Sequence, residues 1–421
     1  MKPHTHEAAI PRKSSSGWPL LVGASLVLAF SATGFLVQTF GVFAEAIETE
    51  FGWSRTATYS VLVIATLLAP ILIPIAGWAT DRLRIRSLVL SSLAVQVTCL
   101  LALGLLPTAQ LSFSALFLLS YAASFGASVV PLAKVVSDAF SERRGTALGV
   151  LFAGACLGAI ANPLIAGALV TNIGWKGAFI ALGGQVVVLS AIPAFILLRP
   201  IEKTPTTAAK GTKPAGWRVL FATRSLYVIL GWAFFAALGY GGVQGHLVPF
   251  LEERAHTPAE AIIGQSLLGV GLFVGNVGAG LLLDKIATKQ LASLMLLLPI
   301  LALLALAAAP QGPFDIAITT FIGIATGTET AMLAYVVSKY LPSSVGGRGL
   351  SVGMVAVALG GGISTLIGAT THDATGDYRL FLLLCSASLA IAAFWPWALR
   401  ETVTGSETPA AGVQSAAPGS R

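Results

Sequence analysis

Few ionisable side chains stand inside the long apolar stretches of this sequence, and three of them could do chemistry: Lys134, His246 and Glu329. A charge held in hydrocarbon costs about 3 kcal/mol or more, so each is a candidate for function. Glu329 is flanked by Gly327, Thr328 and Thr330. Its carboxyl could carry a proton reversibly, or it could be a structural acid hydrogen-bonded to a neighbouring helix. His246 follows Gly241, Gly242, Gln244 and Gly245 and precedes Pro249. That pattern predicts a bent or locally unwound helix that bares backbone to a cavity. The imidazole could donate to an anion or relay a proton, and a packing histidine is the plainer alternative. Lys134 could clamp an anion, or pair with Asp138 four residues on while its stem snorkels.

Other chemistries find no residues. Cys99, Cys156 and Cys385 lie far apart in apolar runs and read as buried small hydrophobes. No cluster with metal spacing, no nucleophilic triad and no G-x-x-x-x-G-K phosphate loop is present in the sequence. Neither an enzyme nor an ATP-driven pump is expected, and no cofactor or metal.

The elements that must position these groups are membrane-spanning helices. Charged residues make up 10% of the 421 and hydrophobic ones 55%, too few charges to coat a soluble fold of this length. A span needs about 20 apolar residues. In the first half the spans are expected at Trp18–Phe43, Thr56–Ala79, Ser87–Leu106, Leu111–Val136, Thr146–Val170 and Lys176–Leu198. In the second they are expected at Ser225–Phe250, Ala261–Leu283, Leu291–Ala309, Phe314–Val337, Gly349–Thr370 and Tyr378–Leu399.

The fold class is thus an all-α membrane protein of twelve helices in two six-helix bundles. Its segments are a tail at 1–17, bundles at 18–198 and 225–400, a linker at 199–224 and a disordered tail at 401–421. The first apolar run is too long for a signal core, so it reads as an uncleaved span.

Basic residues crowd onto alternate loops, and only Arg55, Lys176, Arg254 and Arg379 fall on the other set. The bias predicts that both termini are cytoplasmic, in a multi-pass protein of the cell membrane. The net charge of +7 is therefore topological and does not point to nucleic acid. The expected partners are lipid, a small-molecule solute and protons, with a single copy sufficient for function.

The halves repeat. Leu132-Ala133-Lys134-Val135-Val136-Ser137 in span four matches Leu333-Ala334-Tyr335-Val336-Val337-Ser338 in span ten at five of six positions. Gly77-x-x-x-Asp81-Arg82 after span two is echoed by Gly280-x-x-x-Asp284-Lys285 after span eight. Two similar bundles that rock about a site between them are a transporter signature.

With these residues in view, the chain resembles the major facilitator superfamily. Gly77 to Arg86 is similar to its G-x-x-x-D-R-x-x-x-R loop. The resemblance implies a conformational latch made of Gly77, Asp81, Arg82, Arg86, Arg143, Arg144, Gly280, Asp284 and Lys285. A narrower resemblance is to the bacterial branch of the monocarboxylate porter family, relatives of the oxalate/formate exchanger. It rests on Phe51-Gly52-Trp53-Ser54-Arg55, on Phe140-x-x-Arg143-Arg144-Gly145-x-Ala147-Leu148-Gly149 and on Gly174-Trp175-Lys176. His246-Leu247-Val248-Pro249 and Gly327-Thr328-Glu329 with Tyr335 through Tyr340 complete the set.

The resemblance implies proton-linked movement of small organic acids by alternating access, with spans one, four, seven and ten lining the cavity. It places Glu329 there as the proton-coupling group. His246, Asn276, Lys134, Gln38, Tyr121, Tyr240 and Gln244 are then the solute-binding candidates, with Thr33 and Ser128 beside them. One departure stands out. Members of the group often carry an arginine after the glycine in span eight, whereas this chain reads Gly275-Asn276. Asparagine keeps hydrogen bonding and loses the bidentate charge. The alternatives are a proton-coupled drug or metabolite efflux antiporter and, less favoured, a non-transporting membrane sensor of the same fold.

Overall fold

The structure, a computed structural model, describes residues 17–106, 109–140, 144–198, 217–282, 286–308, 312–341 and 345–398. The tails and most of the linker anticipated from the sequence lie outside these residues.

Apolar runs in lipid must satisfy their own backbone, and helices do so. The first half holds α1 (Trp18–Phe30), α2 (Ala32–Gln38), α3 (Phe40–Phe51), α4 (Arg55–Arg82), α5 (Ile85–Leu105), α6 (Gln110–Ser124), α7 (Val129–Ala139), α8 (Arg144–Val186) and α9 (Ile192–Leu197). After a short α10 (Trp217–Ala222) come α11 (Arg224–Glu253), α12 (Pro258–Leu282), α13 (Thr288–Ala308), α14 (Phe314–Tyr340), α15 (Gly346–Thr375) and α16 (Arg379–Phe394).

Among the described residues, ten stretches are long and apolar enough to cross a membrane. One of them, Ala147–Leu197, is two spans joined at Gly174, where the chain turns at φ 71°, a value that suits glycine. With α14 the spans number twelve. Ile71, Phe195 and Phe394 are 59%, 62% and 77% exposed on the outside of the bundle, a surface suited to lipid.

The structure departs from the sequence reading in three places. Span one breaks at Ser31 (ψ 157°) and again at Thr39, and span four breaks through a 3-10 turn at Phe125–Ala127. Span seven, expected to unwind, is one continuous helix, α11. Its glycines serve close packing instead. A Cβ on Gly241 would meet Gly361 Cα at 2.5 Å, and one on Gly242 would meet Ser364 backbone at 2.5 Å. The end of the linker is helical, because Leu220 is fully buried and faces Gly349 of α15.

Small residues also set the spacing within each half. Gly154 and Gly158 of α8 seat against the α1 backbone at Ser25 and Ala29, and the Asn162 amide donates to Ala29 O at 2.9 Å. Asn162 Oδ1 accepts from Gln185 at 3.0 Å, so the Asn162-Pro163 pair ties spans one, five and six together. In the second half Gly271 and Gly275 of α12 face Gly323 and Gly327 of α14, with each backbone occupying the place a side chain would need.

Both described chain ends, Trp18 and Ala398, lie at one end of the bundle, here called the terminal end. The halves meet toward the other, distal end through α2 and α3 on α11, α4 on α15, and α8 on α12.

Candidate functional site

The distal contact is built around Arg55, the first residue of α4. Ser54 caps that helix by accepting from Ala57 N at 3.2 Å, which fixes where Arg55 emerges. Its guanidinium donates to Glu48 of its own half at 3.2 Å. Across the halves it donates to Glu253 Oε1 at 3.2 Å and to the Tyr378 hydroxyl at 2.7 Å. His372 Nε2 lies 2.7 Å from the same Glu253 oxygen, and Thr56 N donates to Asp373 at 3.0 Å. Glu48 lies beyond the apolar part of span one; burial lifts its carboxyl above the ordinary value while Arg55 pulls it back.

His246 belongs to this contact. Its ring stacks on Tyr59 of the other half, centroids 3.9 Å apart, and its nitrogens lie 3.1 Å from Tyr378 Oη and 3.0 Å from Thr365 O. Tyr59 in turn donates to Gly245 O at 2.8 Å. Gly41 permits the approach, since a Cβ there would meet the same carbonyl at 2.6 Å. The imidazole is thus fully engaged in a seal between the halves.

The motif residues nearby hold the loops. Phe51 stacks on Trp53 at 4.6 Å and meets Trp175 edge-on at 5.8 Å. Glu50 accepts from Trp175 and Lys176, and the ammonium holds that carboxyl below its usual range.

Beneath the seal the seam is polar and carries carboxamides. Gln265 of α12 donates through Nε2 to Gln38 O of α2 at 2.9 Å. The Oε1 atoms of both glutamines are buried with no hydrogen-bond partner. Asn276 stands eleven residues after Gln265, which at 100° per residue brings it back to the same face of α12. That face packs on the N-terminal half through Ile262 against Gly167 and Gly269 against Ala159. Asn276 therefore lies along the seam toward the terminal end, half-buried. Gln244 donates to Thr326 of α14 at 3.2 Å.

Glu329 is buried on α14. It is 3% exposed and its Oε1 has no partner. Seven residues on, Val336 shares its face of α14 and lines a small gap with Ile229 and Trp232 of α11 and Ala292 of α13. α14 packs on α11, α12, α13 and α15, all of its own half. In this conformation the carboxyl is buried. Tyr240 and Tyr121 are buried too, Tyr121 edge-on to Phe125 at the break in span four. Lys134 is half-buried on α7 and interacts with the surrounding protein.

At the terminal end, Arg86 donates to Phe195 O at 2.6 Å, at the carbonyl end of α9, and Arg82 lies over the Trp78 ring at 4.9 Å. Among the described residues nothing lies within 4 Å of where a Cβ on Gly77 would stand. Arg143, Asp284 and Lys285 lie outside the described residues, as do the side chains of Thr33, Asp81, Arg144 and Gly280.

Sequence reasoning gave no role to Arg55, Glu48, Glu253, His372, Tyr378 or Gln265. A signal existed for the first: basic residues are sparse on the loops at that end, and Arg55 begins an apolar span, so it needs acidic partners.

Residues 25–365 match the family described as Major Facilitator Superfamily. The chain is 25% identical over 384 residues to Monocarboxylate transporter 13 of Rattus norvegicus, covering 89% of this chain and 87% of that one. It is 26% identical over 265 residues to Multidrug resistance protein MdtG of Dickeya zeae, covering 61% of this chain and 63% of that one. Among solved structures it resembles a D-xylose-proton symporter with TM-score 0.68 at 15% identity, covering 91% and 97% of the two chains. The helical spans, the paired halves and the matched length converge: this chain is a multi-pass membrane protein that belongs to the Major Facilitator Superfamily of transporters.

Proposed function

We propose that the protein moves a small organic acid together with a proton across the cell membrane by alternating access. The observation that carries the reading is the likeness along 89% of the chain to a protein named for monocarboxylate transport. The geometry supports the mechanism. Arg55, His246 and their partners close one end of the seam. On the reading of the basic residues that puts the termini in the cytoplasm, the closed end faces out. Gln38, Gln244 and Asn276 are the proposed solute contacts, and His246 acts in the external seal.

The proton has two carriers to choose between, Glu329 and the acid itself. We take the burial of Glu329, with no partner for its Oε1, to favour the acid. Glu329→Gln is therefore expected to keep pH-driven accumulation within a factor of about three of the parent. Loss of the pH response in proteoliposomes would return the proton to Glu329.

Uptake of labelled carboxylic acids into proteoliposomes under an inward proton gradient tests the reading. Accumulation supports it. Expulsion supports the second reading, an efflux antiporter, which the likeness to a multidrug resistance protein and the uncharged Asn276 favour. Asn276→Arg restores a permanent charge to the seam and should tighten binding of carboxylate anions about tenfold. Unchanged affinity in a thermal-shift titration would remove position 276 from the solute site.

A further inference from the structure

Two glutamines under the seal specify what can bind there. Gln265 is 2% exposed, and its orientation is fixed: Nε2 donates to Gln38 O at 2.9 Å, whereas the flipped amide would set oxygen against oxygen. Its Oε1 is left buried with no partner; Gln38 Oε1 has none either, but no hydrogen bond fixes which way that amide is turned. The residues come from opposite halves, α2 and α12, at a level where the halves already touch on both sides of Gln265. Ile262 lies against Gly167 toward the distal end, and Gly269 against Ala159 toward the terminal end. A solute at this level is gripped by both halves at the top of the seam.

The unpaired acceptor of Gln265 demands a donor, and the Gln38 amide can turn to meet either a donor or an acceptor. A carboxylate has none, and it would face the fixed oxygen of Gln265. A carboxylic acid carries one O–H and meets the demand. A primary amide, with two N–H donors, also meets it.

We propose that Gln38 and Gln265 bind the protonated, neutral form of a carboxylic acid, so that the transported proton enters on the solute. This rests on the organic-acid reading above. The acid takes its proton from water on the side of entry and loses it to water on the side of release, so the cycle needs no protein group to change its charge. Neutral Asn276, in place of a clamp arginine, is consistent with a solute that arrives uncharged.

The test uses purified full-length protein and three headgroups on one scaffold: carboxylic acid, primary amide and sulfonate. Each is placed on methyl, propyl and phenyl, so that the size of the site does not decide the outcome. Binding is followed by thermal shift from about pH 5 to about pH 7, above the carboxyl's own pKa of about 4. The neutral fraction falls tenfold per pH unit there, so the apparent Kd of the acid should rise about tenfold per unit. Amide binding should not move with pH, and the sulfonate, a permanent anion, should not bind. Gln265→Met and Gln38→Met, which keep length and remove the oxygen, should each weaken acid and amide by about tenfold, the loss of one hydrogen bond.

Acid affinity that does not depend on pH, sulfonate binding, or parent-like affinity in both methionine variants would overturn the proposal and leave the organic-acid reading standing. If no acid of any size binds at any pH, both fail. The pH series on the parent protein decides the matter even where a variant does not fold.

Discussion

Gly327→Val is expected to leave the C-terminal half unable to assemble, with folded protein lost at the membrane. A Cβ at Gly327 would overlap the carbonyl oxygen of Leu272 and come within 2.7 Å of Asn276 N. The obstacle is backbone on both counts, so no side chain can swing aside. Gly323, one turn earlier, meets Leu268 O in the same way, and Gly271 and Gly275 meet Thr320 O and Ile324 O from the other helix. Lipid gives helices no hydrophobic drive to pair, so their affinity comes from this contact. Overpacking against backbone should cost about 4 kcal/mol or more. Gly278→Ala on the same α12 meets nothing within 4 Å and should cost less than about 0.5 kcal/mol. Monodisperse yield and melting temperature in detergent measure both. A Gly327→Val protein that matches the parent would mean that α12 and α14 do not pack as described.

Arg55→Gln should open the distal end. The guanidinium is 13% exposed and joins Glu48, Glu253 and Tyr378 at once; a neutral amide can keep one of these bonds. Glu48, 14% exposed, would be left without its cation. Removing one partner of a part-buried cluster costs the closed state about 2 kcal/mol, a shift of roughly thirtyfold between conformations. Spin labels at Thr49→Cys and Ala374→Cys, exposed sites on opposite halves, would report it. With Cys99, Cys156 and Cys385 replaced by alanine, the distance distribution should lengthen in the variant. Transport should fall, because a gate that no longer closes interrupts the cycle. An unchanged distribution would show that the seal is held by the stacking of His246 on Tyr59 and not by Arg55.

The architecture was legible because lipid imposes a length and a composition on every span. α4, α5, α13 and α14 begin within about three residues of where the apolar runs suggested. The break at Ser31 was not legible, since no proline stands near it. The one at Phe125–Ala127 carried a signal that went unread: Gly126 lies within it, and Pro131, four residues on from Ala127, has no N–H to bond Ala127 O. The glycines of span seven misled for a related reason. Glycine permits both unwinding and close packing, and only the presence of Gly361 and Ser364 opposite decides between them.

The site was harder still. His246 was visible as a lone titratable group in an apolar run, but its partners Tyr59, Thr365 and Tyr378 come from three other segments. Glu329 was visible on the same ground, and which side of α14 it faces was not, because Thr326, Thr328 and Thr330 put polar groups on several sides of the helix around it. Gln265 carries no charge and passed unnoticed; its interest lies in an oxygen without a partner.

The uneven placement of irregular backbone has a mechanical consequence. Span one is cut at Ser31 and Thr39, span four at Phe125–Ala127, and span six loosens into a π-turn at Val187–Ala191, all in the N-terminal half. The C-terminal half answers with α11, α12, α14 and α15, uninterrupted rods of 25 to 30 residues. Stiffness is therefore unequal: one half behaves as a lever, the other as a jointed cradle. Elastic compliance during a turnover should gather at those serine and phenylalanine joints, and the two lobes, though born of one repeat, carry different loads.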